Sequence, residues 1–218
     1  MTTAPPGPER PALRRDAQAN RARIVAAARE LFAERGLNVG LNEVAHHACV
    51  GVGTVYRRFA DKTELMRAAL DDPLQAVLEV AAQADEAQRA WDGVELLLNQ
   101  ITDRLVDNLG LRDVALGGAG VAFGADVAQG IADVMERLFE RARAEGDLRD
   151  GAVVPDVLML LWLVTSLAEH AADVRPGLHR RYLQMLLDGM RAAPGRGPLR
   201  EGLDSEEADL IAMRWAGR

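Results

Sequence analysis

Thr54, Tyr56, Arg57, Arg58 and Lys62 fall within nine residues, in the string GTVYRRFADK. Hydroxyls and cations at that density are the donors that hold phosphate oxygens, and an arginine among them can reach the O6/N7 edge of guanine. Bond-making chemistry would need a different set. His46 and His47 are adjacent and do not face each other on a helix, while His170 and His179 are separated by Pro176-Gly177. No HExxH, GxSxG or phosphate-loop spacing is present, and the GVGTVY string lacks a preceding strand. The acidic pairs Asp71/Asp72 and Glu206/Glu207 fall at helix-end or tail positions and read as solvated. No catalytic residue, metal site or cofactor is expected, only an unknown small-molecule effector. An all-helical enzyme, or a helical adaptor that does not touch DNA, is the alternative.

The elements that would position this cluster are helices. Residues 41–62, LNEVAHHACVGVGTVYRRFADK, divide into a helix over Leu41–Ala48, a Gly-rich turn, and a second helix over Val52–Phe59. A longer helix over Asp16–Arg35 precedes them, with Ile24, Ala28, Leu31 and Phe32 on one face. Gly36 should end it in the left-handed position, Leu37 folding back onto the helix. Ala45 is small enough for a close crossing, and Val44, Ala48, Val50, Val55 and Phe59 are spaced to share a core with Leu31 and Phe32. With Val55 facing that core, steps of 100° place Gly53 and Arg57 outward. Thr54 and Tyr56 then flank them and Arg58 lies nearer the edge. Arg57 is assigned to a base edge; Thr54, Tyr56, Arg58 and Lys62 are assigned to phosphates. Gly53 and, at the start of the preceding helix, Asn42 complete the DNA-facing set.

Charge supports a polarised protein. The chain carries a formal net charge of −7, yet residues 1–66 hold 10 basic and 7 acidic residues, a net +3, and residues 67–218 are net −10. A basic head on an acidic body presents positive potential on one face only. Hydrophobic residues at 49% exclude a disordered chain, and aromatics at 4% in an Ala/Leu/Arg/Glu-rich sequence favour helices over sheets. A single cysteine rules out an internal disulfide and suits a reducing compartment. The longest apolar run, Val157–Val164, is far short of the roughly 20 residues that span a bilayer. A cytoplasmic protein with no membrane partner is expected.

Beyond Asp61, a good N-cap, a fourth helix should run through Leu65 and Leu70 until Asp72-Pro73 kinks or ends it. Further helices are expected over Leu74–Arg89, Trp91–Leu109, Asp126–Glu145, Pro155–Ala172 and Leu178–Ala192. The tail from Gly195 is Gly/Pro/acidic, with a short helix over Ser205–Trp215 capped by Ser205. The fold class is therefore all-α. The expected boundaries are 1–15 as a flexible basic arm, 16–66, 67–193, and 194–218 as a mobile tail. Asn99, Thr102, Asp103, Phe123, Met135, Phe139, Trp162, Ser166 and His170, with Trp91, are the candidates to line a mostly apolar effector pocket. Leu160, Leu163, Tyr182, Leu183, Leu186, Leu187 and Met190 are the candidates for a homodimer interface, two helices from each subunit forming a four-helix bundle.

The first 66 or so residues resemble the tetracycline-repressor (TetR) family of bacterial regulators. The likeness lies in RARIVAAARELFAERG, LNEVAHHA and VGVGTVYRRFADKTEL, the GTVYRRF–DK string being highly specific. The later two-thirds match more loosely, mainly in HRRYLQMLLDGMR. The resemblance implies an N-terminal three-helix helix-turn-helix domain, a larger helical effector-binding and dimerisation domain, and a homodimer on a double-stranded DNA operator, released by a small molecule. It also implies phosphate contacts from Thr54, Tyr56, Arg58 and Lys62, and base-facing roles for Val52, Gly53 and Arg57. Two departures stand out. Gly40 replaces the usual Thr or Ser cap, a loss of a few tenths of a kcal/mol. Cys49 replaces the glycine of the turn, where a left-handed backbone would cost on the order of 1 kcal/mol. Cys49 reads as a small half-buried residue with no redox response.

Overall fold

A computed structural model describes the backbone of residues 9–117 and 124–216 and the side chains of 16–117 and 124–214. The chain divides into two compact units at Asp71/Asp72, a few residues beyond the expected boundary.

The first unit contains α1 (Glu9–Arg35), α2 (Leu41–His47), α3 (Val52–Arg58) and the start of α4 (Lys62–Asp85). Helix α1 begins at Glu9 rather than Asp16, so residues 9–15, expected as an arm, have helical backbone. Pro11 lies in the first turn, where a missing N–H costs no helical bond. Ile24, Ala28, Leu31 and Phe32 are buried, as their spacing predicts, and Val44, Ala45, Ala48, Val55 and Phe59 join them in one core. Gly36 (φ +71°) ends α1 in the left-handed region, its N–H reaching the Phe32 carbonyl at 2.9 Å, and Leu37 packs back on the core.

Asp61 caps α4 by accepting from the Glu64 N–H at 2.8 Å. The helix then continues through Pro73 to Asp85, where a kink or stop had been expected. Proline cannot supply the N–H that would bond the Ala69 carbonyl. That carbonyl instead accepts from Arg29 Nε at 3.2 Å, so the freed acceptor is satisfied by a side chain of α1.

The second unit holds the rest of α4 with α5 (Ala90–Asp107), α6 (Leu109–Leu116), α7 (Ala125–Ala144), α8 (Val154–Ala171), α9 (Leu178–Met190) and α10 (Ser205–Ala216). Helix α5 packs against α6, α7, α8 and α9 around Trp91, Leu97, Leu98, Leu105, Met135, Leu138 and Phe139, all fully or almost fully buried. The expected single helix over Trp91–Leu109 breaks because Asn108 Oδ1 accepts from the Leu111 N–H at 2.9 Å and starts α6 afresh. By length and composition α8 would suffice to cross a membrane. Its neighbours α5, α7, α9 and α10 bury Val157, Leu160, Leu161, Val164, Thr165 and Ala171, a third of the helix. After α9 the chain pairs Leu148 with Arg191 in a single antiparallel bridge, and Leu199 N–H donates to the Asp150 carbonyl at 2.7 Å. The segment expected as a tail is thus bonded along the α7–α8 turn. Helix α10 forms where expected, but its cap is Asp204, not Ser205. Asp204 Oδ1 accepts from the Glu207 N–H at 2.8 Å and Glu207 Oε2 from the Asp204 N–H at 3.2 Å.

Candidate nucleic-acid interface

Helix α2 starts at Gly40, which has no side chain to cap it, and Glu43 compensates. Its Oε2 accepts from the Gly40 N–H at 2.9 Å and its Oε1 from Arg35 Nη2 at 2.6 Å. The Gly40 N–H and the Arg35 guanidinium hold this carboxyl below the usual glutamate value. One exposed side chain therefore supplies half a capping box and ties the end of α1 to α2. A second tie lies alongside, His47 Nε2 being 2.8 Å from Glu30 Oε2. Sequence reasoning missed Glu43, although an acid three residues after a cap position is the signal that finds it.

The turn between the helices closes by a Schellman motif. Cys49 N–H donates to the His46 carbonyl at 3.1 Å and Val50 N–H to the Ala45 carbonyl at 3.0 Å. Cys49 occupies the left-handed position (φ +52°) that glycine normally fills, and among the described residues it is the one non-glycine with positive φ. Its thiol is exposed, not half-buried as expected. The turn delivers Val55 into the core, which sets the rotation of α3.

On the outer side of α3, Val52, Gly53, Tyr56, Arg57 and Arg58 are exposed; Thr54 and, beyond the helix, Lys62 are half-exposed. Tyr56 leaves 56% of its surface uncovered, unusual for an aromatic side chain with no local packing role. Arg57 Nη2 donates to Thr54 Oγ1 at 3.2 Å, and its guanidinium passes over Gly53, where an added Cβ would lie 3.7 Å from Nη1. An added Cβ would meet Arg57 only in ordinary van der Waals contact, so Arg57 does not itself require a glycine at position 53. Among the described residues Arg57, Arg58 and Lys62 make no ion pair with a carboxylate, and Asn42 is exposed at the start of α2. Arg21 stacks 5.1 Å above the Phe59 ring and so braces the far end of α3. The eight residues assigned to DNA all lie at the surface of this unit, and the arrangement suits contact with phosphates and base edges.

The expected effector residues are not brought together around a cavity. Thr102, Met135 and Phe139 are buried in the core, as is Trp91, while Asn99 and His170 are exposed and bond to the carbonyls of Glu95 and Ser166. Trp162 and Ser166 are half-buried on α8, and Phe123 lies outside the described residues. Asp103 is taken up by His179 Nε2 at 3.1 Å and Arg180 Nε at 3.0 Å. Two cavities of about 300 Å³ stand out, and none of these residues lines either. Amphipathic spacing marks such side chains as inward-facing, but it does not distinguish a side chain spent on the core, such as Phe139, from one that faces a cavity.

The expected dimer residues divide in two. Leu160, Leu183, Leu187 and Met190 are buried within the subunit and are not available to a partner, because the inner face of α9 packs on α8 and α5. Leu163, Tyr182 and Leu186 are exposed, and Met185, which sequence reasoning omitted, is 55% exposed beside them. Leu178, Tyr182, Met185 and Leu186 follow the 0, 4, 7, 8 spacing of one helix face.

A helix-turn-helix head followed by a helical second unit is the architecture of a one-component regulator, and comparison with known proteins places the chain more narrowly. Residues 24–69 match the bacterial regulatory proteins of the tetR family, and residues 92–192 match the C-terminal domain of SbtR-like transcriptional regulators. The chain belongs to the tetR family. An HTH-type transcriptional regulator of Staphylococcus aureus is 31% identical over 101 residues, 45% of this chain. That match spans 55% of the relative's length. Among solved structures, a TetR transcription regulatory protein from Mycobacterium vanbaalenii is 26% identical, covering 83% of this chain and 99% of its own, with a TM-score of 0.50. A TetR transcriptional regulator from Streptomyces coelicolor is 25% identical, covering 79% of this chain and 99% of its own, with a TM-score of 0.52.

Proposed function

We propose that the chain is a cytoplasmic, ligand-responsive transcriptional regulator: a homodimeric repressor that leaves a palindromic operator when a small molecule binds. The observation that carries the DNA-binding part is the outer face of α3. Tyr56, Arg57 and Arg58 stand exposed above a buried Val55, with no carboxylate among the described residues pairing with the two arginines. Arg57 is assigned to a base edge, and Thr54, Tyr56, Arg58 and Lys62 to phosphates. Val52 and Gly53 complete the base-facing surface, and Asn42 approaches from α2.

The dimer rests on the uncovered apolar stripe of α9 together with Leu163 of α8. Leu163, Tyr182, Met185 and Leu186 form a two-fold interface that sets the two recognition helices about one DNA turn apart. Ligand response is supported by two buried polar atoms in the second unit. Thr102 Oγ1 and His179 Nδ1 have no hydrogen-bond partner among the described residues. A buried helical threonine ordinarily bonds back along its helix, as Thr165 does to the Leu161 carbonyl at 2.7 Å. A polar ligand entering between α5 and α9 would satisfy both atoms. It would favour the DNA-incompetent state, with α4 carrying the change because it runs from one unit into the other.

The test is binding of the full-length chain to DNA flanking its own gene, repeated with candidate metabolites, alongside light scattering. Salt-dependent binding to a palindrome by a dimer, relieved by a metabolite, is the expected result. A monomer at micromolar concentration would remove the dimer and the palindrome. Affinity equal for all sequences would remove the operator.

A further inference from the structure

The larger unit contains a second constellation that the DNA-binding reading does not use. Arg143 at the end of α7, Arg149 in the α7–α8 turn and Arg196 in the segment after α9 line one half-open cavity of about 300 Å³. We propose that this cavity is a binding site for a small polyvalent anion, a phosphate-bearing or polycarboxylate metabolite.

The frame is built by backbone pairing. Leu148 bridges Arg191, Arg149 N–H donates to the Met190 carbonyl at 2.9 Å, and Ala192 N–H to the Asp147 carbonyl at 2.8 Å. The arginines project from both sides of this frame and are held by carbonyls. Arg143 donates to Ala152 at 3.1 Å. Arg149 donates to Gly197 at 2.8 Å and Gly189 at 3.1 Å, and Arg196 to Arg191 at 3.3 Å and also to Asp188. A guanidinium has five N–H donors, so these bonds orient each group and leave further donors unused.

The charge balance is the second observation. In this unit Arg89 pairs with Asp147, Arg112 with Glu169, Arg137 with Asp85 and Arg180 with Asp103, while other arginines such as Arg104 make no ion pair among the described residues; what sets the cavity apart is that three such arginines line one wall. Among the described residues, Arg143, Arg149 and Arg196 pair with none. Asp150 is the one carboxylate in the lining, leaving a net charge of +2 on the wall of a unit that is strongly acidic overall. Three cations gathered around a single carboxylate leave a net repulsion, and an anion bridging them removes it. The volume is at the lower end of the range for small-molecule sites, which sets the ligand at the size of phosphate, citrate or a small phosphorylated metabolite. Arg196 also lies beyond residue 192, where the match to the SbtR-like domain ends. A bound anion would clasp the segment after α9 to the α7–α8 turn.

The experiment is calorimetric titration and thermal unfolding of the full-length chain with inorganic phosphate and with citrate, at ionic strength held constant with chloride. Saturable binding with a rise in Tm is expected for phosphate, citrate or both, and not for acetate. The response should persist in an Arg57→Gln/Lys62→Gln variant, which separates this site from the DNA-binding head. It should disappear in Arg143→Gln/Arg196→Gln. Because that pair also holds carbonyls, Asp150→Asn supplies a test of opposite sign: removing the one negative charge should tighten binding severalfold. An equal response to acetate, persistence in the arginine pair, loss in the head variant, or unchanged or weaker binding in Asp150→Asn would each overturn the site.

Discussion

Arg29 Nε lies 3.2 Å from the carbonyl oxygen of Ala69, the acceptor that Pro73 leaves without its helical donor. The pairing lets α4 carry a proline within its length while keeping its carbonyls satisfied. It also joins α1 to α4 inside the first unit through a part-buried, charge-assisted bond. Arg29→Met should lower stability by about 1.5–3 kcal/mol, the range for hydrogen bonds to charged groups. In a Pro73→Ala background the backbone N–H returns, and the same substitution should cost less. Chemical denaturation of the four proteins forms a double-mutant cycle, and strict additivity would show that the two residues do not share the acceptor.

Cys49 is the point of strain in the DNA-binding head, a side chain at φ +52° in a turn built for glycine. Cys49→Gly should raise the stability of the head by about 1 kcal/mol. Cys49→Val should lower it, since a branched Cβ is least compatible with that backbone. A Cys49→Gly variant that unfolds at the same or lower denaturant concentration would contradict the assignment. Peroxide should not change DNA affinity; release from the wild type but not from Cys49→Ser would show that the thiol is a sensor.

Gly93 marks a close approach between helices of the second unit. A Cβ there would stand 2.4 Å from the Ala84 carbonyl oxygen and 2.8 Å from Leu138 Cδ2, at the meeting of α4, α5 and α7. Gly93→Ala should therefore destabilise by about 1–3 kcal/mol, reversing the usual benefit of alanine within a helix. Thermal unfolding reads the sign directly.

Asp103 links α5 to the start of α9 and gives the second unit a defined acid sensitivity. Burial alone would favour its neutral acid, but donation from Arg180 and His179 outweighs that and lowers the carboxyl below its ordinary value. A group depressed in the folded state contributes stability above the unfolded value, near 3.8, that is lost as pH falls through the lower folded value. Asp103→Asn should thus reduce stability at neutral pH and flatten its decline below about pH 4. Equal acid sensitivity in wild type and variant would show that the pairing adds nothing.

The face of α3 predicts a division of labour on DNA. Arg57→Ala should relax base preference at one position in each half-site, at a cost of about 1–3 kcal/mol on the best sequence. Lys62→Ala should weaken all sequences alike and reduce the slope of log affinity against log salt by about 1 per site. Fluorescence anisotropy over a salt series separates the two. Equal loss of specificity from both variants would refute the assignment.

Local rules were sufficient wherever the information is local. The spacing of Ile24, Ala28, Leu31 and Phe32 announces a buried face, Gly36 announces the end of α1, and Asp61 announces the start of α4. The outward position of Arg57 follows from Val55 pointing inward, because helical geometry ties the two together. Those regularities, with the GTVYRRF–DK string, were enough to read an all-α fold and a DNA-facing helix. Other features depend on groups distant in sequence. Arg29 stands 40 residues before Ala69, so continuity through Pro73 was not readable from α4 alone. The inner and outer apolar stripes of α9 look alike in sequence; packing on α8 and α5 buries Leu183 and Leu187 and leaves Tyr182 and Met185 uncovered. The arginine-lined cavity exists only because the segment after α9 returns along the α7–α8 turn, bringing Arg196 to Arg143. Sequence thus determined the class of every long helix and the rotation of the recognition helix, since hydrophobic periodicity is a property of neighbours along the chain. Tertiary structure decided which faces are spent on the core and which remain for partners, since burial is a competition among elements that no single segment resolves.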